Sequence, residues 1–169
     1  MAPLPLHSLR SPAPAALLVT AGAAFALAAA WFFQLVVGLT PCPLCLDQRI
    51  PYYVAVPVGV VALLALARGH SRAGRVLLAL IALLMVSNLG LAVFHAGVEW
   101  HFWPGPTSCT GAPTMVTGDL LAALKTASVP RCDEATWRLL GLSMAGWNAI
   151  IAAVLAVIAG RAAATGRTW

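Results

Sequence analysis

The sequence predicts an all-α membrane protein, an antiparallel bundle of four transmembrane helices with a long loop between the third and fourth. Hydrophobic residues make up 61% of its 169 residues and charged residues only 9%, whereas a soluble domain carries about 25% charged residues. Four apolar stretches are each close to the roughly 20 residues that a helix needs to cross a bilayer. A chain of this length is expected to form a single domain, residues 1–169.

The four helices are predicted at about 13–37, 50–67, 76–94 and 139–159, which leaves a loop at 95–138. Short connections between the helices favour an up-down-up-down bundle. The first stretch resembles a signal peptide, but it is longer than the 7–15 residues of a signal core, so it is predicted to span the membrane. The residues ahead of it are expected to form a disordered lead-in.

Basic residues are distributed unevenly between the two ends of this bundle. Six arginines and no acids fall on one side: Arg10, Arg68, Arg72, Arg75, Arg161 and Arg167. The other side holds all five acids with four basic residues. The positive-inside rule therefore predicts that both termini are cytoplasmic. All four cysteines fall on the outer side, which in a bacterium would be the periplasm, where disulfides persist.

The first cysteine pair, Cys42 and Cys45, forms a C-x-x-C unit just ahead of the second predicted helix. A thiol at a helix N-terminus is activated by the backbone dipole. Zinc sites normally use two such pairs, and haem attachment requires a His where Leu46 stands. A structural disulfide is the remaining alternative to a redox centre.

Arg49 follows Cys45 by four residues, at the predicted edge of the membrane. A cation in the first turn of a helix opposes the dipole, which indicates that it serves an anion. That anion would be either a thiolate or a reduced oxygen of a bound acceptor. The alternative is an arginine that extends to the lipid head groups.

The second pair, Cys109 and Cys132, has the spacing C-x22-C and lies in the long loop. Cys109 is expected to be exposed. A disulfide here would stabilise the loop by about 3 kcal/mol in the chain-entropy model. Alternatively, this pair could re-oxidise the first by thiol–disulfide exchange. Between the two cysteines, residues 116–127 predict a short amphipathic helix that lies either on the membrane surface or on the bundle.

The combined pattern resembles the bacterial disulfide bond formation protein B (DsbB) family over residues 15–160. The residues that carry the resemblance are Pro41-Cys42-Pro43-Leu44-Cys45 with Arg49, Phe94-His95, the stretch 102–106 ahead of Cys109, Cys132-Asp133, Trp137 and Leu140-Gly141-Leu142-Ser143-Met144. Two features depart from the family pattern. Asp47 lies beside the first pair, and no proline follows Met144.

The resemblance implies a bacterial inner-membrane thiol:quinone oxidoreductase that re-oxidises a periplasmic DsbA-type thioredoxin-fold oxidase. Cys109 would form the mixed disulfide with that partner, and Cys132 would complete the loop disulfide. Cys42 would exchange with the loop pair, and Cys45 would face the quinone. Arg49 would stabilise the reduced state.

His95 is implied to donate a hydrogen bond to the quinone, with an unpartnered interfacial histidine as the alternative. Ubiquinone is favoured over menaquinone. The protein is expected to be a monomer that binds lipid and quinone, and neither nucleic acid nor a metal ion. His101 is expected among Trp100, Phe102 and Trp103 in an interfacial aromatic belt, to which Trp137 could also belong. The alternative functions are a membrane scaffold with two structural disulfides and a vitamin K epoxide reductase-like enzyme, although in the latter family the C-x-x-C lies late in the chain.

Overall fold

The computed structural model describes residues 12–107, 109 and 131–165. Within these ranges the chain forms five helices and one small hairpin: α1 (Pro12–Leu35), α2 (Pro43–Asp47), α3 (Ile50–Ala67), α4 (Ser71–Glu99), β1 (Arg138–Leu139), β2 (Leu142–Ser143) and α5 (Met144–Ala164). Four segments are long and apolar enough to cross a membrane: α1, α2 with α3, α4, and α5. The predicted four-helix fold is confirmed.

The four long helices are arranged as a ring. Helix α4 packs against α3 and α5, and α1 closes the ring against the same two helices. The core contains a few large side chains, such as Ile81 and Met85 on α4, but α1 and α5 contribute mainly alanines. Many leucines, valines and phenylalanines on the outside are exposed. In a lipid bilayer these outward side chains are in a favourable environment, because the hydrocarbon is as apolar as they are.

A close approach of α1 and α3 depends on Gly59. A β-carbon at this position would overlap the Thr20 hydroxyl of α1. That hydroxyl also donates a hydrogen bond to the Ala16 carbonyl at 2.7 Å. Glycine is therefore the residue that lets the two backbones come this near, as small residues do at membrane helix interfaces.

The helix starts near the cysteines follow from local capping. Pro43 occupies the first turn of α2, where its missing N–H is not needed. The Cys42 sulfur caps that turn by accepting a hydrogen bond from the Cys45 N–H at 3.3 Å. Ser143 caps α5 in the same way, accepting from the Gly146 N–H at 3.1 Å.

Two predicted boundaries were wrong. The third membrane helix runs over Ser71–Glu99 rather than 76–94, so Arg72 and Arg75 lie in its first turns and not in a connecting loop. The last helix begins at Met144 rather than 139, because the hairpin occupies residues 138–143. Leu140 and Gly141 at the hairpin tip both have positive φ, as a type I′ hairpin turn requires.

The predicted lead-in before residue 12 and the predicted amphipathic helix at 116–127 lie outside the described residues.

Candidate active site

All four cysteines gather at one end of the bundle, where α1 and α4 end and α2, α3 and α5 begin. Cys109 and Cys132 are joined by a disulfide, while Cys42 and Cys45 are thiols. Cys42, Cys109 and Cys132 share a buried apolar cluster with Leu44 and Val98. The expectation that Cys109 is exposed was wrong, because its side chain is fully buried.

The sulfur of Cys42 lies next to the loop disulfide. The Cys42 and Cys132 sulfurs and a ring nitrogen of His95 all lie within 4.8 Å of one another. Two cysteines and a histidine at this spacing could in principle hold a metal ion. However, the metal ligand is a thiolate, and the Cys132 sulfur is already in a disulfide. The arrangement therefore suits thiol–disulfide exchange between Cys42 and Cys132 better than metal binding.

The two thiols of the C-x-x-C unit differ in their surroundings. The hydrogen bond with Cys45, followed by burial, raises the pKa of the Cys42 thiol far above its ordinary range. Cys45 is only half-buried and borders a cavity on the lipid side of the site. Cys42 thus faces the loop disulfide, and Cys45 faces the cavity.

The cavity has a volume of about 400 Å³ and lies between α1, α3 and α5. Its walls are mostly apolar, and they include Phe33 and Trp137, whose ring centroids are 4.9 Å apart. Trp137 is therefore part of a cavity wall. Cys42 and Cys45 also border a smaller cavity of about 30 Å³, whose other lining residues include Glu99, Arg131 and Glu134.

Arg49 is a buried cation on the wall of the larger cavity. Its Nη1 donates to Gln34 Oε1 at 2.6 Å, and its Nη2 donates to the Ala30 carbonyl at 3.5 Å. Its guanidinium carbon lies 5.5 Å from the centre of the Trp31 ring, a cation–π distance. None of the ion pairs found in the described ranges includes Arg49. Asp47, whose position beside the first cysteine pair departs from the family pattern, is exposed and not ion-paired with Arg49.

His95 is buried between the two cysteine pairs. Its Nε2 lies 3.6 Å from the Cys42 sulfur, and its Nδ1 lies 2.7 Å from Gln48 Nε2. Its ring also borders the larger cavity, together with Arg49. The structure thus brings Arg49, His95 and Cys45 to one cavity.

The loop cysteine Cys132 is flanked by an ion pair at the surface. Arg131 binds the Asp133 carboxylate with two hydrogen bonds of 3.1 and 2.7 Å. This guanidinium holds the pKa of the Asp133 carboxyl below its usual range. Because the negative charge beside Cys132 is already paired, it opposes a Cys132 thiolate only weakly.

Several polar residues of the site were missed by the sequence analysis. They are Gln34, Gln48, Tyr52, Glu99 and Asn148. The available signal was that each is a polar side chain in or beside a predicted membrane span. Such residues are rare in lipid and generally have a functional or pairing role.

Fold and site together define a helical membrane protein with two cysteine pairs positioned for disulfide exchange beside an apolar cavity. The family model of "Disulfide bond formation protein DsbB" matches residues 12–162 of the chain. The chain therefore belongs to the DsbB family, a family of membrane disulfide oxidoreductases that support disulfide bond formation. It is a multi-pass protein of the inner membrane.

Relatives named "Disulfide bond formation protein B" give the same result. The Marinobacter nauticus protein is 34% identical over 140 residues, which cover 78% of this chain and 80% of that protein. The Stutzerimonas stutzeri protein is 30% identical over 148 residues, which cover 83% and 88%. The Aromatoleum aromaticum protein is 30% identical over 144 residues, which cover 76% and 78%. No solved structure matches the chain.

Proposed function

We propose that this protein is a thiol:quinone oxidoreductase that re-oxidises a periplasmic DsbA-type dithiol oxidase and passes the electrons to a membrane quinone. The observation that carries the proposal is the position of the C-x-x-C unit. Cys42 lies within 4.8 Å of the Cys132 sulfur, and Cys45 borders an apolar cavity. The unit thus contacts both an exchangeable disulfide and a space that opens among lipid-facing helices.

The cavity fits a quinone ring in size and chemistry. About 400 Å³ lies within the range of small-molecule sites, which are mostly apolar with a few polar groups. Arg49 supplies a buried cation without an acidic partner among the described residues, which suits a ring oxygen that gains negative charge. His95 borders the same space and is the second proposed quinone contact. A bound quinone would accept the two electrons and two protons that leave the Cys42/Cys45 dithiol.

The thiol steps that we propose conserve atoms and electrons. A partner thiolate attacks Cys109, and Cys132 leaves as a thiolate. Cys132 attacks Cys42 of a Cys42–Cys45 disulfide, and Cys45 leaves. The partner's second thiolate closes the partner's own disulfide and releases Cys109. Cys109 then attacks Cys132 and releases Cys42.

The final state of this sequence has a loop disulfide and a C-x-x-C dithiol, which is the pairing found in the structure. Cys109 is fully buried, so the partner reaches its sulfur only after a local movement exposes it.

The proposed orientation puts both termini in the cytoplasm and the cysteines at the periplasmic face. It is supported by three arginines around the junction of α3 and α4, Arg68 in the turn and Arg72 and Arg75 at the start of α4, and this junction lies at the opposite end of the bundle from the cysteines. Ubiquinone rather than menaquinone remains a prediction, to be checked by supplying each quinone in the same assay.

The decisive test is quinone reduction by the purified, pre-reduced protein in nanodiscs. We expect the wild type to reduce quinone and Cys45→Ala to lose the reaction. Cys109→Ala separates the half-reactions, because it should reduce quinone once but fail to turn over with a dithiol partner. A folded wild type that reduces neither ubiquinone nor menaquinone would refute the proposal and favour a structural role for the cysteines.

A further inference from the structure

Polar side chains from three helical segments form a continuous hydrogen-bonded chain behind His95. The Tyr52 hydroxyl donates to Asn148 Oδ1 at 2.6 Å. Asn148 Nδ2 donates to Gln48 Oε1, also at 2.6 Å. Gln48 Nε2 then meets His95 Nδ1 at 2.7 Å. In Asn148 and in Gln48 the amide oxygen lies on the side of Tyr52 and the amide nitrogen on the side of His95. The hydrogen bonds therefore all point from Tyr52 towards His95.

The direction is fixed by a backbone carbonyl. Gln48 Nε2 also lies 3.1 Å from the Leu44 oxygen. A carbonyl oxygen can only accept, so the amide nitrogen of Gln48 and not its oxygen must face it. The second N–H of that nitrogen is directed at His95 Nδ1, which must therefore be the acceptor. A reversed Gln48 amide would set two oxygens against each other at Leu44.

A neutral His95 with an accepting Nδ1 carries its proton on Nε2. The Cys42 sulfur lies 3.6 Å from Nε2 and is within hydrogen-bond reach for sulfur. The nearest oxygen of Glu99 lies 3.9 Å from Nε2, too far for a hydrogen bond. The single N–H of the ring therefore faces the Cys42 sulfur.

We propose that Gln48 is a positioning residue that holds His95 as the Nε2–H tautomer, so that His95 donates a hydrogen bond to the Cys42 sulfur when Cys42 leaves as a thiolate. In that step Cys109 attacks Cys132, the Cys109–Cys132 bond forms, and the Cys132–Cys42 bond breaks. The electron pair of the broken bond stays on Cys42, and no proton is transferred. The role in exchange rests on the proposed function, whereas the tautomer does not.

The tautomer is tested by nitrogen-15 NMR of the full-length protein labelled on its four histidines. The His95 signals are assigned by their loss in His95→Gln. We expect a protonated Nε2 and an unprotonated Nδ1 in the wild type. Gln48→Glu keeps the length of the side chain and an acceptor for Asn148, but it offers Nδ1 no donor, so Nδ1 should become protonated.

The exchange role is tested in a Cys45→Ala background, with the protein started as the Cys42–Cys132 mixed disulfide. Alkylation quenching then follows the return of the Cys109–Cys132 disulfide across a pH series. We expect Gln48→Glu to slow Cys42 release about tenfold or more and to alter its pH profile, since hydrogen bonds to charged groups are the stronger ones. Ser87→Ala, on an exposed part of α4, is the matched control with an unchanged rate.

Each outcome bears on the inference. A wild-type His95 protonated on Nδ1, or on both nitrogens, overturns it. An unchanged tautomer and exchange rate in Gln48→Glu overturn the role of Gln48. Should Gln48→Glu fail to fold, Gln48→Met removes the donor without adding charge and is judged by the same two measurements. Failure of quinone reduction by the wild type would overturn the proposed function but leave the NMR result valid.

Discussion

Replacement of Arg49 by methionine removes the only described cation that lines the 400 Å³ cavity while keeping a long side chain. A hydrogen bond to a charged group contributes about 1.5–3 kcal/mol. At about 1.4 kcal/mol per factor of ten, the KM for quinone should rise about 10- to 100-fold. Thiol–disulfide exchange between Cys42 and Cys132 should be unaffected, because the Arg49 guanidinium donates its hydrogen bonds to Gln34 and Ala30 and not to either sulfur.

The effect of Arg49→Met on folding should be small by comparison. Gln34 Oε1 loses its donor, which costs about 1–3 kcal/mol. The loss of a buried charge offsets part of that cost. The assay is quinone titration at saturating dithiol, with thermal unfolding measured on the same samples. Arg72→Met, an exposed arginine at the other end of the bundle, is the control. An unchanged KM for quinone would refute the role of Arg49.

Two further predictions concern the thiol and the helix packing. Because the pKa of the Cys42 thiol is raised, its thiolate population still grows at alkaline pH. The alkylation rate of Cys42 in the reduced protein should therefore keep rising past pH 10. An ordinary thiol, with a pKa of about 8.5, has levelled off by that pH. A plateau near pH 9, seen by mass spectrometry of the alkylated peptide, would contradict this. Gly59→Ala should lower the free energy of unfolding by about 1–3 kcal/mol through overlap with Thr20, whereas Gly90→Ala, where a β-carbon meets open space, should not. Equal stability of the two variants in denaturant unfolding would show that the α1–α3 contact is not tight.

The four membrane spans could be predicted from the sequence because the lipid bilayer imposes a length and an apolar composition on each helix that crosses it. Helix α3, the main part of the second span, was predicted with its observed bounds, 50–67. The third was predicted too short because Arg72 and Arg75 were assigned to a loop. Arginine side chains at a helix end can extend to the head groups, so charge alone does not end a membrane helix.

The start of the last helix could not be read from hydrophobicity. Leu139, Leu140 and Leu142 are as apolar as the helix that follows them. What separates them is the turn at Gly141, whose positive φ only the backbone reveals. The Ser143 cap then starts the helix at Met144.

The cysteine site was predictable in part, because C-x-x-C is a local pattern with a known chemistry. The polar chain behind His95 was not, because its members are far apart in sequence. Gln48 is 47 positions from His95 and 100 from Asn148. A polar residue within a membrane helix indicates that a hydrogen-bonding partner is needed, but the sequence does not identify the helix that supplies the partner.

The alanines inside the bundle bear on how the protein withstands repeated turnover. An alanine side chain has no rotamers to exchange, so the alanine-rich packed parts of α1 and α5 have few side-chain rearrangements with which to respond to a redox change. The rearrangements of each cycle are then confined to the cysteine end. The far half of the bundle serves as a stiff frame, and a mutation there should alter how long the protein lasts in the membrane without altering how fast it works.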